Sequence, residues 1–442
     1  MKTDVLIVGS GCSALYMALH LPEDLNILMV TKKEAELSDS FLAQGGICML
    51  RNEDDYDSYF EDTMKAGHYE NDAYSVELMI KSSPDVIQDL ISYGVDFERN
   101  EDGSLAFTRE GAHSQKRILY HEDITGKEIT RHLLEKVRQK KNVTLLENTP
   151  LVDLIVRGNV ALGGVIKRNN QEEKVYAKKV VLAPGRDGSA WLTKVLSNQG
   201  LKLYNNQVDI GVRVETSNIV MEEINKNLYE GKFVYNTSVG TKVRTFCSNP
   251  SGHVVIENHS GTMLANGHAY HDPKLGSKNT NFALLVSHTF SEPFNEPNEF
   301  AHEISKLANK LSNGSVIVQR YGDIKRGRRT TYKRLKEGYT DPTLPEAVPG
   351  DLGLVLPYNT MKSIIEMIEA LDNVTPGIAN EHTLLYGVEA KFYSARPKVR
   401  DGFESEIDDL YVAGDGAGLT RGLAQAGANG ILVARHIVEN IK

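Results

Sequence analysis

Cysteine is scarce. The 442 residues hold three, Cys12, Cys48 and Cys247, with no CxxC pair and no Cys/His cluster at zinc or iron–sulfur spacing. That excludes a disulfide scaffold and a structural metal centre, and it fits a reducing compartment. Long apolar runs are missing too, and none approaches the ~20 residues that a membrane-crossing helix needs. Positive charge is not in excess: Lys+Arg 50 against Asp+Glu 59 leaves −9. Nucleic-acid binding through overall charge is therefore excluded, although a local basic patch is not. The opening Met-Lys-Thr-Asp runs straight into an apolar strand and then glycines, unlike a signal or transit peptide. The expectation is a soluble cytoplasmic protein with a small-molecule partner, no membrane and no nucleic acid. With 40% hydrophobic and 25% charged residues, disorder is excluded as well. The length predicts two or three domains, or one large α/β domain with an insertion.

The chain opens on a compact pattern. Val5-Leu-Ile-Val8 reads as a buried parallel strand. Gly9-Ser-Gly11-Cys-Ser-Ala14 follows, then Leu15, Ala18 and Leu19 at helical spacing, closed by Pro22. Ile27-Leu-Met-Val30 is a second strand, which completes a βαβ unit. Residues 56–97 read as helical, with turns at Gly67 and near Pro84. Thr125-Gly-Lys-Glu128 predicts a capping box opening a helix through Ile129, Leu133, Leu134 and Val137. Strand-like runs follow at 143–147, 151–157, 160–166 and 180–185. Residues 212–349, richer in Asn, Ser, Thr and Tyr, read as an inserted domain whose exit is marked by Pro342, Pro345 and Pro349. Residues 360–371 read as a helix, Leu410–Ala413 as a buried strand, and 424 to the end as a small-residue helix.

Gly9-x-Gly11-x-x-Ala14 lies between a strand and a helix, where a dinucleotide fingerprint belongs. Gly9 makes the tight turn, Gly11 lets the backbone approach a diphosphate, and Ala14 still allows close helix–strand packing. The helix start offers amides and a positive dipole end to phosphates. The acid that would read a nicotinamide cofactor's ribose is missing, since Thr31 and Lys32 stand at the end of the second strand. That favours FAD. Tyr411-Val-Ala-Gly-Asp415-Gly supplies the second half of a two-motif flavin site, with Asp415 aimed at ribityl hydroxyls. Pro184-Gly185 adds a third turn, and Asn429 and Gly430 on the last helix complete the cofactor candidates. The predicted fold is α/β, a two-motif Rossmann-like FAD-binding domain (1–211 and 350–442) with an inserted α+β substrate or capping domain (212–349).

Residues 38–47, Ser-Asp-Ser-Phe-Leu-Ala-Gln-Gly-Gly-Ile, resemble the flavin-approaching loop of the fumarate reductase and succinate dehydrogenase flavoproteins. Within that superfamily, Glu61–Gly67, residues 108–118 (Thr-Arg-Glu-Gly-Ala-His-Ser-Gln-Lys-Arg-Ile) and residues 123–127 resemble L-aspartate oxidases. The resemblance covers about residues 1–166. It implies FAD contacts at Ser10, Gly11, Cys12, Ser13, Lys32, Ser40, Gln44, Gly45, Gly46 and Asp415. It also implies non-covalent FAD, because Asp39 stands where succinate dehydrogenases carry a flavin-linked histidine. From about residue 178 the chain is more similar to bacterial FAD-dependent dehydrogenases of unassigned substrate. The His-Pro-Thr-Ala and His-Tyr-Thr-Cys-Gly-Gly motifs of aspartate oxidases are missing, and Gln425 stands where they have a substrate arginine.

The activity implied is oxidation of L-aspartate to iminoaspartate, with oxygen or fumarate reoxidising the flavin, and with it a place in NAD biosynthesis. Such chemistry needs cations on the carboxylates, an acceptor for the ammonium, and Cα–H aimed at the flavin. By the resemblance Glu110 reads the ammonium, and His113 and Arg117 share its stretch. In the basic run Lys325–Arg334, Arg326, Arg328 or Arg329 are candidates to replace the missing substrate arginines. Arg213 and Arg244 are further candidates without a spacing argument, and Arg421, in the turn after Asp415, is placed to touch flavin or substrate. Other readings stay open: a dehydrogenase or reductase of another substrate, or a flavin-binding protein without turnover. An RNA-modifying flavoprotein has only the basic run in its favour.

Overall fold

A computed structural model describes residues 1–442 except 44, 68, 70, 72, 110–112, 123, 205, 206, 228–230, 260, 271, 291–293, 295, 421, 442 and the side chain of Ser75. The chain divides into two units, Met1–Asn205 with Ser394–Lys442, and Asn206–Tyr393. Among the described residues no helix is long and apolar enough to cross a membrane.

The first unit grows from β1 (Lys2–Val8), α1 (Cys12–His20) and β2 (Ile27–Val30). The helix stops one residue short of the position before Pro22, where the proline ring disfavours helical backbone. Helix α2 (Thr125–Gln139) leads into β3 (Val143–Leu146), β4 (Leu151–Arg157), β5 (Val160–Arg168) and the long β6 (Gln171–Leu182). After the second unit come β7 (Leu410–Val412) and α3 (Leu423–Asn440). In the sheet, β3, β2, β1 and β6 run parallel and β7 joins the carboxyl half of β6. The amino half of β6 pairs with β5, which pairs with β4, as an antiparallel extension. Val5, Leu6, Ile7 and Val8 are all buried. Each contributes about 1.5–3 kcal/mol, against about 0–1 kcal/mol for a surface ion pair such as Lys178–Asp4. Burial on both faces, not charge, holds β1 in place.

Two local expectations change. Thr125 does not cap α2: Ile124 is the cap residue, and the Thr125 hydroxyl accepts from His121 N–H (3.0 Å). Glu128 turns instead to Asp96 N–H (3.3 Å), Arg131 and His132. A buried Glu with three nearby donors has no call to fold back on its own helix start. Pro84 lies inside the helix Ala73–Ser92 rather than at a turn. Proline leaves the carbonyl four residues earlier without its donor. Here the Ser83 hydroxyl donates to Ile80 O (2.7 Å), so the helix continues.

The second unit is built on a sheet ordered 234–236, 242–249, 279–288, 208–217, 384–391, 317–320 and 348–349. Its neighbours are antiparallel except for the last pair. One face, with Ile210, Val212, Val214, Leu284 and Val286, packs in a core with Ile364, Met367 and Ile368 of the helix Tyr358–Asp372. The prolines at 342–349 do not end this unit. Leu384–Lys391 pairs with both Val208–Ser217 and Ile317–Arg320, which carries the unit on to Tyr393.

Gly9 has φ +122°, and a Cβ there would lie 1.9 Å from the Ala183 carbonyl oxygen. Gly103 has φ +83° with nothing within 4 Å. Gly103→Ala is expected to cost about 1 kcal/mol of backbone strain, and Gly9→Ala at least about 3 kcal/mol. Denaturant unfolding of the two variants checks this; equal losses would contradict it.

Candidate functional site

In parallel sheets of this kind ligands bind at the carboxyl ends of the strands. Three turns meet there: Gly9–Gly11 after β1, Pro184–Gly185 after β6, and Ala413–Asp415 after β7. They meet backbone to backbone. Besides Gly9 against Ala183, a Cβ on Gly416 would lie 2.1 Å from Gly185 O. A Cβ on Gly430 would lie 2.3 Å from Ser13 O, so Gly430 lets α3 touch α1. Asn429 then ties the first and last motifs together. Its Oδ1 accepts from the Ser13 hydroxyl (3.2 Å) and from Gly414 N–H (2.9 Å). A main-chain N–H only donates, so the amide's orientation is set and its Nδ2 is left as donor.

The cofactor candidates fall into three groups. Gly9, Gly11, Ser13, Asn429 and Gly430 build the junction just described. The side chains of Ser10 and Cys12 turn inward. Ser10 is buried and donates to Ala35 O (3.2 Å), and Cys12 is buried with its thiol pushed up to about 12 by that burial. Around the turn 185–188 sits a polar rim. Asp39 accepts from Arg186 N–H (2.7 Å), and Lys32 donates to Asp187 O (3.3 Å). Arg186 holds Asp415 through Nε (2.9 Å) and Nη2 (2.7 Å), both on Oδ2. The Ser40 hydroxyl accepts from Cys12 N–H (3.0 Å), which docks the 38–46 loop on the start of α1. Gly45 is exposed and Gly46 half-buried just ahead of the strand Ile47–Cys48. Gln44 lies outside the described residues.

These groups fit FAD. The first bond within α1 runs from Leu15 N–H to Gly11 O (3.0 Å), so the amides of Ser13 and Ala14 have no partner inside the helix and suit a diphosphate. Asn429 Nδ2 and Thr420 Oγ1 are buried with no partner among the described residues. Buried polar groups of this kind call for a ligand or water. A cleft of about 690 Å³ lined by Lys2, Asp4, Lys178 and Asp409 opens at the opposite, amino ends of β1 and β7 and has none of these features.

The stretch around 108–118 holds a buried charge network. Arg117 is wholly buried. It donates to Asp55 (2.8 Å), Asp62 (2.6 Å) and Ser58 (2.7 Å), and lies over the Tyr59 ring (4.9 Å). It serves the fold and is closed to substrate. His113 is held on both sides, with Nδ1 3.0 Å from Arg117 Nη1 and Nε2 3.3 Å from Cys48 Sγ. Glu110 and Arg421 lie outside the described residues.

In the second unit the basic run folds back on itself. Asp323 is buried and collects Arg328 Nε (2.7 Å), Arg334 Nε (3.2 Å) and the Thr330 hydroxyl (2.8 Å). Arg326 pairs with Glu381 (3.0 Å). Arg328 is thus committed to a carboxylate, and Arg329 remains exposed. On the other face of the sheet, Arg213 and Arg244 were named from the sequence, but their acidic partners Asp209 and Glu389, and the neighbouring Glu215, were not. Asp209, Arg213 and Glu215, alternating with the core residues of their strand, are buried there. Arg213 joins Asn281 (2.8 Å) and Glu389 (3.5 Å), and Arg244 joins Asp209 (2.6 Å). The signal was the strict alternation of Asp-Ile-Gly-Val-Arg-Val-Glu, with charge on one side.

Residues 4–207 match the family described as FAD binding domain, and residues 207–392 the family described as FAD-dependent protein, C-terminal domain-like. Curated relatives include L-aspartate oxidases. That of Clostridium perfringens is 45% identical over 210 residues, 48% of this chain and 47% of the relative. That of Clostridium acetobutylicum is 40% identical over 199 residues, 45% of each chain. The chain thus spans about half the length of the curated relatives it matches. Among solved structures, an E. coli quinol fumarate reductase aligns with TM-score 0.56 at 16% identity, over 99% of this chain and 70% of that one. A Mycobacterium smegmatis Sdh1 complex aligns with TM-score 0.54 at 16% identity, over 100% and 69%. At such identities these likenesses show the fold alone.

Two outcomes follow from the geometry. Asn429→Ala removes the buried donor and the tie to Gly414, and is expected to weaken FAD binding about tenfold or more, read by titrating apoprotein with FAD. Unchanged affinity would contradict the assignment. Burial pushes the Asp55 carboxyl up, but hydrogen bonds from Arg117 and Arg51 outweigh it and hold it at about 2. Against about 3.9 in an unfolded chain, that stability is complete above pH about 4 and is lost as pH falls towards 2. Asp55→Asn should flatten the acid limb of the stability–pH curve.

Proposed function

From an FAD binding domain over residues 4–207, continued by an FAD-dependent C-terminal-type domain over 207–392, we propose an FAD-dependent oxidoreductase acting on a small anionic substrate. The substrate we favour is L-aspartate, oxidised to iminoaspartate with oxygen or fumarate reoxidising the flavin. The observation that carries this reading is the identity of 45% to an aspartate oxidase over 210 residues. Bound FAD would supply the two-electron acceptor. The rest falls to the chain. Ser13, Asn429 and the start of α1 hold the cofactor, non-covalently in this reading since Asp39 replaces a linking histidine. Lys32 and Arg186 set the turn 185–188, and Asp415 keeps Oδ1 for a hydroxyl. Glu110 would accept from the substrate ammonium, and Arg329 is the candidate cation for a carboxylate, with Arg328 only if it leaves Asp323.

A second reading, a dehydrogenase of another substrate, is favoured by residues 207–392, which match a domain family described without a substrate. Anaerobic mixing of the FAD-loaded protein with L-aspartate separates the two. Aspartate oxidation predicts bleaching of the flavin's visible bands. Unchanged bands with full FAD occupancy would overturn the aspartate reading.

A further inference from the structure

Cys48 ends the short strand Ile47–Cys48 and is half-buried. His113 Nε2 lies 3.3 Å from its sulfur, and His113 Nδ1 lies 3.0 Å from Arg117 Nη1. A guanidinium has five donors and no acceptor, so Nδ1 must accept. The neutral imidazole therefore carries its proton on Nε2, aimed at the sulfur. The Tyr59 hydroxyl is also hydrogen-bonded to Cys48, and burial pushes its ionisation far up, so it keeps its proton. Once Cys48 ionises, its thiolate has both groups as donors. Asp55 and Asp62 lock Arg117 at 2.8 and 2.6 Å, which holds the histidine's tautomer. Among the described residues, the charged and titratable groups around the thiol include Tyr59 on the helix Tyr56–Ala66, His113 and Arg117 on the stretch 113–117, and the carboxylates of Asp55 and Asp62 behind Arg117. Cys12, by contrast, is fully buried with a thiol carbonyl contact at 3.7 Å.

We propose that Cys48 is a reactive thiol, primed by His113 and Tyr59, that hydroperoxides and comparable soft electrophiles modify. Donors that stabilise a thiolate are what make a cysteine nucleophilic. With a hydroperoxide, the thiolate attacks the terminal oxygen; an S–O bond forms as the O–O bond breaks. Sulfur is oxidised by two electrons and the hydroperoxide is reduced. The leaving oxygen takes a proton from solvent, while the Nε2–H of His113 stays aimed at the sulfur. In sum, thiol plus hydroperoxide gives sulfenic acid plus alcohol, or water from hydrogen peroxide. The inference does not depend on which substrate reduces the flavin.

The test is iodoacetamide alkylation of the FAD-loaded full chain across pH 5.5–9, with Cys48 and Cys247 followed separately by mass spectrometry. Cys48 should react about tenfold faster than Cys247 at pH 6.5, with a midpoint below the ~8.5 of an ordinary thiol. Tyr59→Phe and His113→Phe should slow it and move the midpoint up. After hydrogen peroxide, dimedone should tag Cys48 and not Cys247. A wild-type Cys48 that reacts no faster than Cys247, or titrates at or above the ordinary value, overturns the proposal without recourse to any variant. A His113→Phe midpoint equal to wild type overturns the role given to His113.

Discussion

The contact on which the first unit depends is backbone against backbone, at Gly9 and Ala183. There the turn after β1 leans on the end of β6 with room for a hydrogen and nothing larger. The same device recurs at Gly416 against Gly185 and at Gly430 against Ser13. Each removes a side chain from a place where two segments distant in sequence must touch. Together they draw three turns to the carboxyl end of one sheet, and Asn429 then needs only two hydrogen bonds to lock the first turn to the last. The apolar residues of β1, β6 and β7 supply the bulk of the holding energy. The glycines decide where the polar atoms end up.

Much of this was legible beforehand. Strand, Gly-x-Gly and helix at the start, and strand-Gly-Asp near the end, are local patterns that physics ties to local geometry. Their strands and helices lie within three residues of the reading, β1 starting at Lys2 rather than Val5. What escaped was long-range. Nothing around Asn429 announces that its oxygen will accept from Ser13, more than four hundred positions earlier in the chain. Pro84 looked like a break because the remedy, Ser83 on Ile80 O, depends on a rotamer. The basic run 325–334 looked open to an anion, and the buried Asp323 that absorbs Arg328 and Arg334 sits just before it. Arg117 looked able to reach the site because its partners, Asp55 and Asp62, lie 62 and 55 residues earlier, just before and within the helix Tyr56–Ala66.

The flavin machinery is built from backbone geometry, which a short motif reveals. Substrate choice rests on a few side chains brought together by tertiary folding. The similarity to aspartate oxidases covers under half of the chain, and residues 207–392 follow a different family. The buried polar face of that second unit, with Arg213, Glu215 and Glu389, meets the cost of burying charge by pairing, Arg213 with Glu389 and Asn281.

We propose that three glycine turns, tied by Asn429, hold FAD without a covalent link. The direct measurement is the visible spectrum of the purified full chain, followed by acid denaturation and assay of flavin in the supernatant and the pellet. The account predicts a yellow protein with stoichiometric FAD, all of it released. A chain that takes up no flavin when FAD is supplied, or flavin that stays with the denatured polypeptide, would contradict it.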